Sequence, residues 1–424
     1  MREMKDSGIP WIGEIPKDWE IKPIKWDFDI IAGATPKTDN PDFWDGGIPW
    51  ITPADYKTED RYIERGRRTL STEGMASCAT TLLPKGSIIF SKRAPIGLVV
   101  INSQPLCTNQ GCLGCVPKRD IAQYYYYAMS IYTEQYELYG SGTTFKEISA
   151  TNFADFKLPH PTIAEQQRIA EFLDRKCAEV DEMIGLQEQI IEELKAYKQS
   201  VITEAVTKGL NPDTPMRDSG IEWIGQIPEH WRVMQFRRLF EIKKTIANAL
   251  GYDVLSVTQG GLKVKDLSAN EGQIAQDYSK YQIVGKDDYV MNHMDLLTGF
   301  VDCSTQIGVT SPDYRVFQSI CKADISLSYF LRIFQTCYKL KIFYHLGQGV
   351  SGMGRWRLPT EQLKLFYLPV PPLIEQLDIA DYLDEKCADI DSLIQTKLSK
   401  IDSLKEYKKS IIYEYVTGKR EVNE

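Results

Sequence analysis

Residues 4–19, MKDSGIPWIGEIPKDW, return as residues 216–231, MRDSGIEWIGQIPEHW, with 11 of 16 positions identical. A repeat constrains a fold strongly, because each copy must form the same local structure and bury the same face. The identities include Asp6/Asp218, Gly8/Gly220, Trp11/Trp223, Gly13/Gly225, Pro16/Pro228 and Trp19/Trp231. A second match pairs PTIAEQQRIAEFLDRKCAEVD (161–181) with PPLIEQLDIADYLDEKCADID (371–391). It continues as LKAYKQSVITEAVT (194–207) against LKEYKKSIIYEYVT (404–417). The 424 residues are therefore two tandem copies of about 210 residues, a period far too long for a solenoid. Two pseudo-equivalent halves are expected, in four segments: 1–160, 161–210, 211–370 and 371–424.

The second repeated segment reads as a long helix. Leu173, Cys177, Val180, Ile184, Gln187, Ile191, Leu194, Lys198, Val201 and Ala205 alternate intervals of four and three, the seam of a coiled coil. The other copy gives Leu383, Cys387, Ile390, Ile394, Lys397, Ile401, Leu404, Lys408, Ile411 and Tyr415. Proline is absent from both, so each helix should run about 45 residues, or roughly 65–70 Å. The polar seam positions coincide, Gln187 with Lys397 and Lys198 with Lys408. They either fix register or reach outward to water.

The middles, 20–158 and 232–368, do not visibly match. Both read as α+β. Ile88-Ile89-Phe90 and Ile96–Ile101 are short strand candidates, and Asp45-Gly46-Gly47 marks a turn before Ile48-Pro49-Trp50-Ile51. Helices are expected over 124–139 and 327–344. The run Tyr124–Tyr127 contains four aromatic rings that stacking on bases would use. On a helix they point several ways, which favours core plus surface.

Net charge is −8, with 50 Lys and Arg against 58 Asp and Glu. That excess argues against a nucleic-acid binder until it is located. Segment 161–210 holds 6 basic and 10 acidic residues, and 371–424 holds 8 and 12, so the helices account for all of it. The neutral middles keep basic clusters, Arg61-Arg65-Arg67-Arg68 and Arg237-Arg238-Lys243-Lys244. Nine cysteines at irregular spacing fit a reduced, cytoplasmic protein. No stretch reads as a secretory leader or a membrane span.

A catalytic centre is not legible. Gly347–Gly352 spells GxGxxG, but neither a preceding strand nor a following helix is apparent, and Gly140–Thr144 is its counterpart; both read as loops. Asn40-Pro41-Asp42-Phe43 faintly resembles the Asn-Pro-Pro-Phe of amino-methyltransferases, without the second proline or a glycine-rich cofactor loop. Cys112 and Cys115, with Cys107, lack a second CxxC and a nearby histidine, and read as buried thiols rather than metal ligands. No metal or cofactor is expected in this chain.

The opening motif, the Pro-x-x-x-x-Glu-Gln segment and the long helix, each present twice, resemble the specificity subunit of type I restriction–modification systems. The matching residues are Trp11–Pro16 with Trp19, Trp223–Pro228 with Trp231, Glu165-Gln166 and Glu375-Gln376. The first middle resembles that family's target-recognition domains at Gly33-Ala34-Thr35-Pro36, Ile48–Ile51 and Phe90–Gly97, and the second resembles another subgroup at Ser256–Gly260. The resemblance implies two pseudo-symmetric α/β target-recognition domains separated by two long antiparallel coiled-coil helices. It implies that each domain reads one half of a split, asymmetric site in double-stranded DNA, and that the helices set the spacer. It also implies a non-catalytic chain with two modification (methyltransferase) subunits as partners, and restriction subunits that act as ATP-dependent translocase and nuclease. S-adenosylmethionine, ATP and Mg would then sit on those partners.

DNA contact is expected at Thr35, Arg61, Arg65, Arg67, Arg68, Lys92, Arg93 and Lys146 in the first middle. In the second it is expected at Thr258, Gln259, Lys263, Lys265, Arg355 and Arg357. These are polar residues beside predicted strands, where base edges and phosphates are met. Two other readings remain open at this point: a self-contained DNA-modifying enzyme, and a coiled-coil scaffold that never touches DNA.

Overall fold

The structure is a computed structural model and describes residues 2–93, 95–119, 122–140, 146–265, 278–349 and 356–422. Its contacts divide the chain into two units, Met1–Gln187 with Ser399–Glu424, and Glu188–Leu398. Each unit thus takes one middle, the first half of one long helix and the second half of the other.

The first unit is built on a sheet of β1 (Phe28–Ala32), β2 (Tyr62–Ile63), β3 (Ile88–Lys92), β4 (Ile96–Asn102) and β5 (Cys112–Pro117). Its strand order is β1-β5-β3-β4-β2, antiparallel except for the parallel pair β2–β4. The second unit holds β6 (Phe240–Lys243), β7 (Tyr289–Met291), β8 (Val301–Cys303) and β9 (Arg315–Ser319). They run in the order β6-β9-β7-β8, all antiparallel. Apart from the edge strand β2, which has no counterpart in the second sheet, two middles with no visible sequence match therefore share one strand order. Asp45-Gly46-Gly47 is not a free turn: it is a bulge within the strand Trp44–Ile51, where Asp45 and Gly47 take positive φ.

An aromatic layer covers each sheet. The expected helix over 124–139 is two, Ala122–Ser130 and Thr133–Leu138. That over 327–344 is also two, Leu327–Lys339 and Ile342–His345, separated at left-handed Lys341. The tyrosine run faces inward more completely than expected. Tyr124, Tyr125 and Tyr127 are buried, and their hydroxyls donate to Val416 O, Asp27 and Asp174. In the second unit Tyr329, Phe330 and Phe334 pack with Phe240, Tyr289 and Phe317.

The long helices span Ile163–Lys208 and Leu373–Val416, 46 and 44 residues. Within the first unit Phe172 meets Tyr415 with ring centroids 4.3 Å apart, and Asp181 meets Lys408 at 2.7 Å. As one number rises the other falls, so the helices pair antiparallel. In the second unit Lys198 meets Asp391 at 2.6 Å, the same arrangement. Of the seam, Leu173, Val180, Leu383, Ile390 and Leu404 are buried, while Gln187, Leu194 and Lys397 are half-buried. Of the three seam lysines, Lys198 and Lys408 neither enter the core nor point freely to water. Each lays its stem along the seam and ends on a carboxylate of the facing helix.

The opening motif explains its own repetition. Trp19 is buried and donates its indole N–H to Glu165 at 2.9 Å; Trp231 does the same to Glu375 at 2.8 Å. The neighbouring Gln166 and Gln376 are buried and donate to the carbonyls of Pro161 and Pro371, holding the helix entry. Ile12, Ile15 and Trp19 share a core with Ile411, Ile412 and Val416 from the end of the second helix. Ile224, Ile227 and Trp231 do so with Ile202, Ala205 and Val206 from the end of the first. Each helix ends at a left-handed glycine, Gly209 or Gly418. A side chain on Gly418 would press to 2.4 Å from Pro16 and 3.0 Å from Trp19.

Truncating Trp231 to Ala removes a fully buried ring and leaves Glu375 without its indole donor. A loss of about 3–5 kcal/mol is expected for the second unit, read as a lower urea midpoint. A midpoint equal to that of the unaltered chain would show that this ring does not hold the helix start.

Candidate nucleic-acid interface

In the first unit the Gly33–Pro36 loop is clamped against a second sheet. Ala34 N donates to Thr108 O at 3.0 Å, and Trp50 donates its indole N–H to Ala34 O at 3.1 Å. A side chain at Gly33 would collide with the backbone of Thr108 and Asn109. The Thr35 hydroxyl is turned to the Gln110 side chain. Near it Arg68 lays its guanidinium over Trp44, 3.4 Å from the ring centroid.

The four arginines of 61–68 separate into different roles. Arg65 is exposed and makes no ion pair among the described residues. Arg67 is exposed but tied to Asp55 at 2.8 Å. Burial raises the Asp55 pKa, but hydrogen bonds from Arg67 and Thr52 outweigh it and hold the carboxyl below its ordinary value. Arg61 turns inward to Asp174 on the first long helix, 2.5 Å away, with the rings of Tyr62, Tyr126 and Tyr127 around it. Lys92 is mostly buried on Glu147 at 2.7 Å; Arg93 stands 3.8 Å from the same carboxylate, and Lys146 is exposed beside it.

In the second unit Leu255–Thr258 and Gly261–Val264 form a hairpin. The Thr258 hydroxyl accepts from Gly260 N and donates to Gly261 O, fixing a turn that needs Gly261 at φ 98°. The turn presents exposed Gln259, with Lys263 exposed on the following strand and Lys265 half-buried. Arg357 is exposed and its backbone bridges to Gln348, whereas Arg355 lies outside the described residues. The structure thus gathers Thr35 and Arg68 at one loop cluster and Thr258, Gln259 and Lys263 at one hairpin. Arg61 and Lys92 go to internal ion pairs.

The sequence did not single out an open cleft lined by Arg217, Arg232, Arg238, Gln235 and Tyr367. A signal was present: Arg232 and Arg238 stand where the first copy has Glu20 and Trp26. Of the cluster that was noted, Lys243 is held by Asp288 at 2.7 Å and Arg237 by Gln235.

Two of the catalytic candidates take structural roles, whereas Gly347–Gly352 and Gly140–Thr144 lie partly outside the described residues. Asn40 caps the turn Pro41–Phe43. Cys107, Cys112 and Cys115 are buried, and burial pushes the Cys112 thiol up to about 12. Among the described residues no group of His, Cys, Asp and Glu is placed to hold a metal ion. Among them, too, no helix is long and apolar enough to cross a membrane.

Arg61 and Arg65 should therefore separate on mutation. Arg61→Met breaks a charged hydrogen bond and should cost about 1.5–3 kcal/mol of stability. Arg65→Met should leave the thermal midpoint unchanged. Equal midpoints for the two variants would contradict the Arg61–Asp174 assignment.

The family profile described as "Type I restriction modification DNA specificity domain" matches this chain twice, at residues 16–196 and 228–417. The MjaIX specificity subunit of Methanocaldococcus jannaschii is 39% identical over 175 residues, 40% of each chain. The putative MjaX specificity subunit of the same organism is 26% identical over 430 residues, covering 96% of this chain and 95% of that one. A solved type I restriction–modification structure superposes with a TM-score of 0.68 at 14% identity, covering 95% of this chain and 98% of the other. The HsdS subunit from Thermoanaerobacter tengcongensis gives 0.53, also at 14% identity, over 96% and 98%. At such identities these two likenesses speak for the fold.

Proposed function

The chain belongs to the type I restriction–modification DNA specificity family, and from that premise we propose how its parts divide the work. It is the DNA-recognition subunit of such a system and carries no catalysis of its own. The observation that carries this reading is the double family match, one copy on each half of the chain. The comparisons support neither a self-contained enzyme nor a scaffold without DNA.

Each half reads one part of a bipartite site. The recognition domains fall within 1–160 and 211–370. One strand order carrying two unlike sets of loops suits two different half-sites. Contacts that position the chain come from Arg65, Arg67, Arg68, Arg93 and Lys146, and from Lys263, Lys265 and Arg357. Thr35, Thr258 and Gln259 are the polar groups short and fixed enough to meet base edges. The long helices set the spacer and dock two modification subunits, on which restriction subunits assemble. S-adenosylmethionine, ATP and Mg serve those partners, and the complex works in the cytoplasm.

Mapping adenine methylation in host DNA with and without this gene tests the reading. A split motif that disappears with the gene is expected. Unchanged methylation, with modification subunits present, would overturn it.

A helix insertion tests the spacer. Four residues added after Glu192 lengthen the first helix by about 6 Å, against a base-pair step of about 3.4 Å. The gap should change by one or two base pairs while both half-sites keep their bases. The insertion also shifts the heptad register, so some loss of stability is expected. An active mutant with an unaltered gap would overturn the ruler.

A further inference from the structure

Strand register locates one corner of the sheet in both units. In the first, Phe90 faces Leu113, and the carbonyl two residues beyond, that of Lys92, accepts from Ile148 N at 3.0 Å. In the second, Met291 faces Arg315, and the carbonyl two residues beyond, that of His293, accepts from Leu358 N at 2.9 Å. Lys92, Leu113 and Glu147 of the first unit thus correspond to His293, Arg315 and Arg357 of the second.

The two corners differ in charge. In the first, Leu113 is fully buried and Lys92 is neutralised by Glu147 at 2.7 Å. In the second, the leucine is an arginine and the glutamate is another. Arg315 is 6% exposed. It donates to Leu358 O at 3.1 Å and Thr360 Oγ1 at 3.0 Å, and its Nη1 is buried with no partner. Neither Arg315 nor Arg357 forms an ion pair among the described residues. His293 keeps Nδ1 buried without a partner. Burial first, then Arg315 and Arg357, bring its pKa down to about 4, so the ring is neutral at pH 7. Burial also lowers Arg315 to about 10, which leaves it charged there.

A buried cation in place of a core leucine weakens the fold unless an anion neutralises it. Among the described residues no carboxylate pairs with Arg315. Resting on the DNA-recognition reading above, we propose that His293, Arg315 and Arg357 form a phosphate-binding corner of the second recognition domain that the first domain lacks. Arg357, at the surface, contacts the DNA backbone. Arg315 lies beneath and adds a positive charge that pairs with no carboxylate among the described residues. His293 occupies the place of Lys92 without adding a third charge to repel the arginines.

The test uses the full chain assembled with its modification subunits and a duplex carrying the mapped site, with affinity measured across salt concentrations. Arg357→Gln should reduce the slope of log affinity against log salt by about one, the signature of a lost phosphate contact, with half-site preference kept. The double substitution His293→Lys with Arg357→Glu installs the first unit's own ion pair. It keeps a pairing this fold already accommodates and should lose at least as much slope. Arg315→Leu should lower affinity with preference kept. An unchanged slope in both Arg357 variants removes the corner, and so does a changed base preference, which would mean a base contact instead. A wild-type complex that does not favour the mapped duplex over a scrambled one brings down the recognition reading and the corner with it.

Discussion

In each unit the indole N–H of one tryptophan meets a glutamate in the first turn of a long helix, Trp19 with Glu165 and Trp231 with Glu375. The same tryptophan packs on the closing turns of the other long helix, where a left-handed glycine ends it. One side chain thus fixes where one helix begins and where its partner ends. An antiparallel pair needs this at each end, because isolated helices gain little from their own hydrogen bonds and depend on packing. The repetition of the motif follows from the repetition of the joint.

The seam shows how polar residues are accommodated in that pair. Lys198 and Lys408 sit where an apolar side chain would pack, yet each ends on an aspartate of the facing helix, Asp391 or Asp181. Partly exposed pairs of this kind contribute little stability. They favour one register and direction, because a slipped pair would part both lysines from their carboxylates at once. The acidity of the helices is partly accounted for in the same way: Asp174 and Asp384 receive Arg61 and Arg332 from the recognition domains.

That use of charge explains why the roles of the basic residues were only partly legible. Arg61, Arg65, Arg67 and Arg68 look alike as a string of basic residues. In the fold one is held inside by the helix, one makes no ion pair among the described residues, one serves Asp55 and one covers Trp44. Lys92 lies in a motif of recognition domains but is neutralised by Glu147. Arg315 is a lone charge in an apolar strand, and nothing local marks it. Its place is defined by a strand far away in sequence and by the leucine that fills the same place in the other copy.

The sequence by itself determined the repeat, the two helices with their lengths and seam, and the family. Those features rest on local periodicity and on motifs whose residues are neighbours in the chain. It also showed that the chain lacks a legible catalytic motif. Tertiary structure alone decided that two unlike middles share one strand order, that the tyrosine run is interior, and which cations remain available to a ligand. Each of these depends on groups brought together from distant positions. A guanidinium's role is set by the carboxylate or ring it meets, not by the residues beside it.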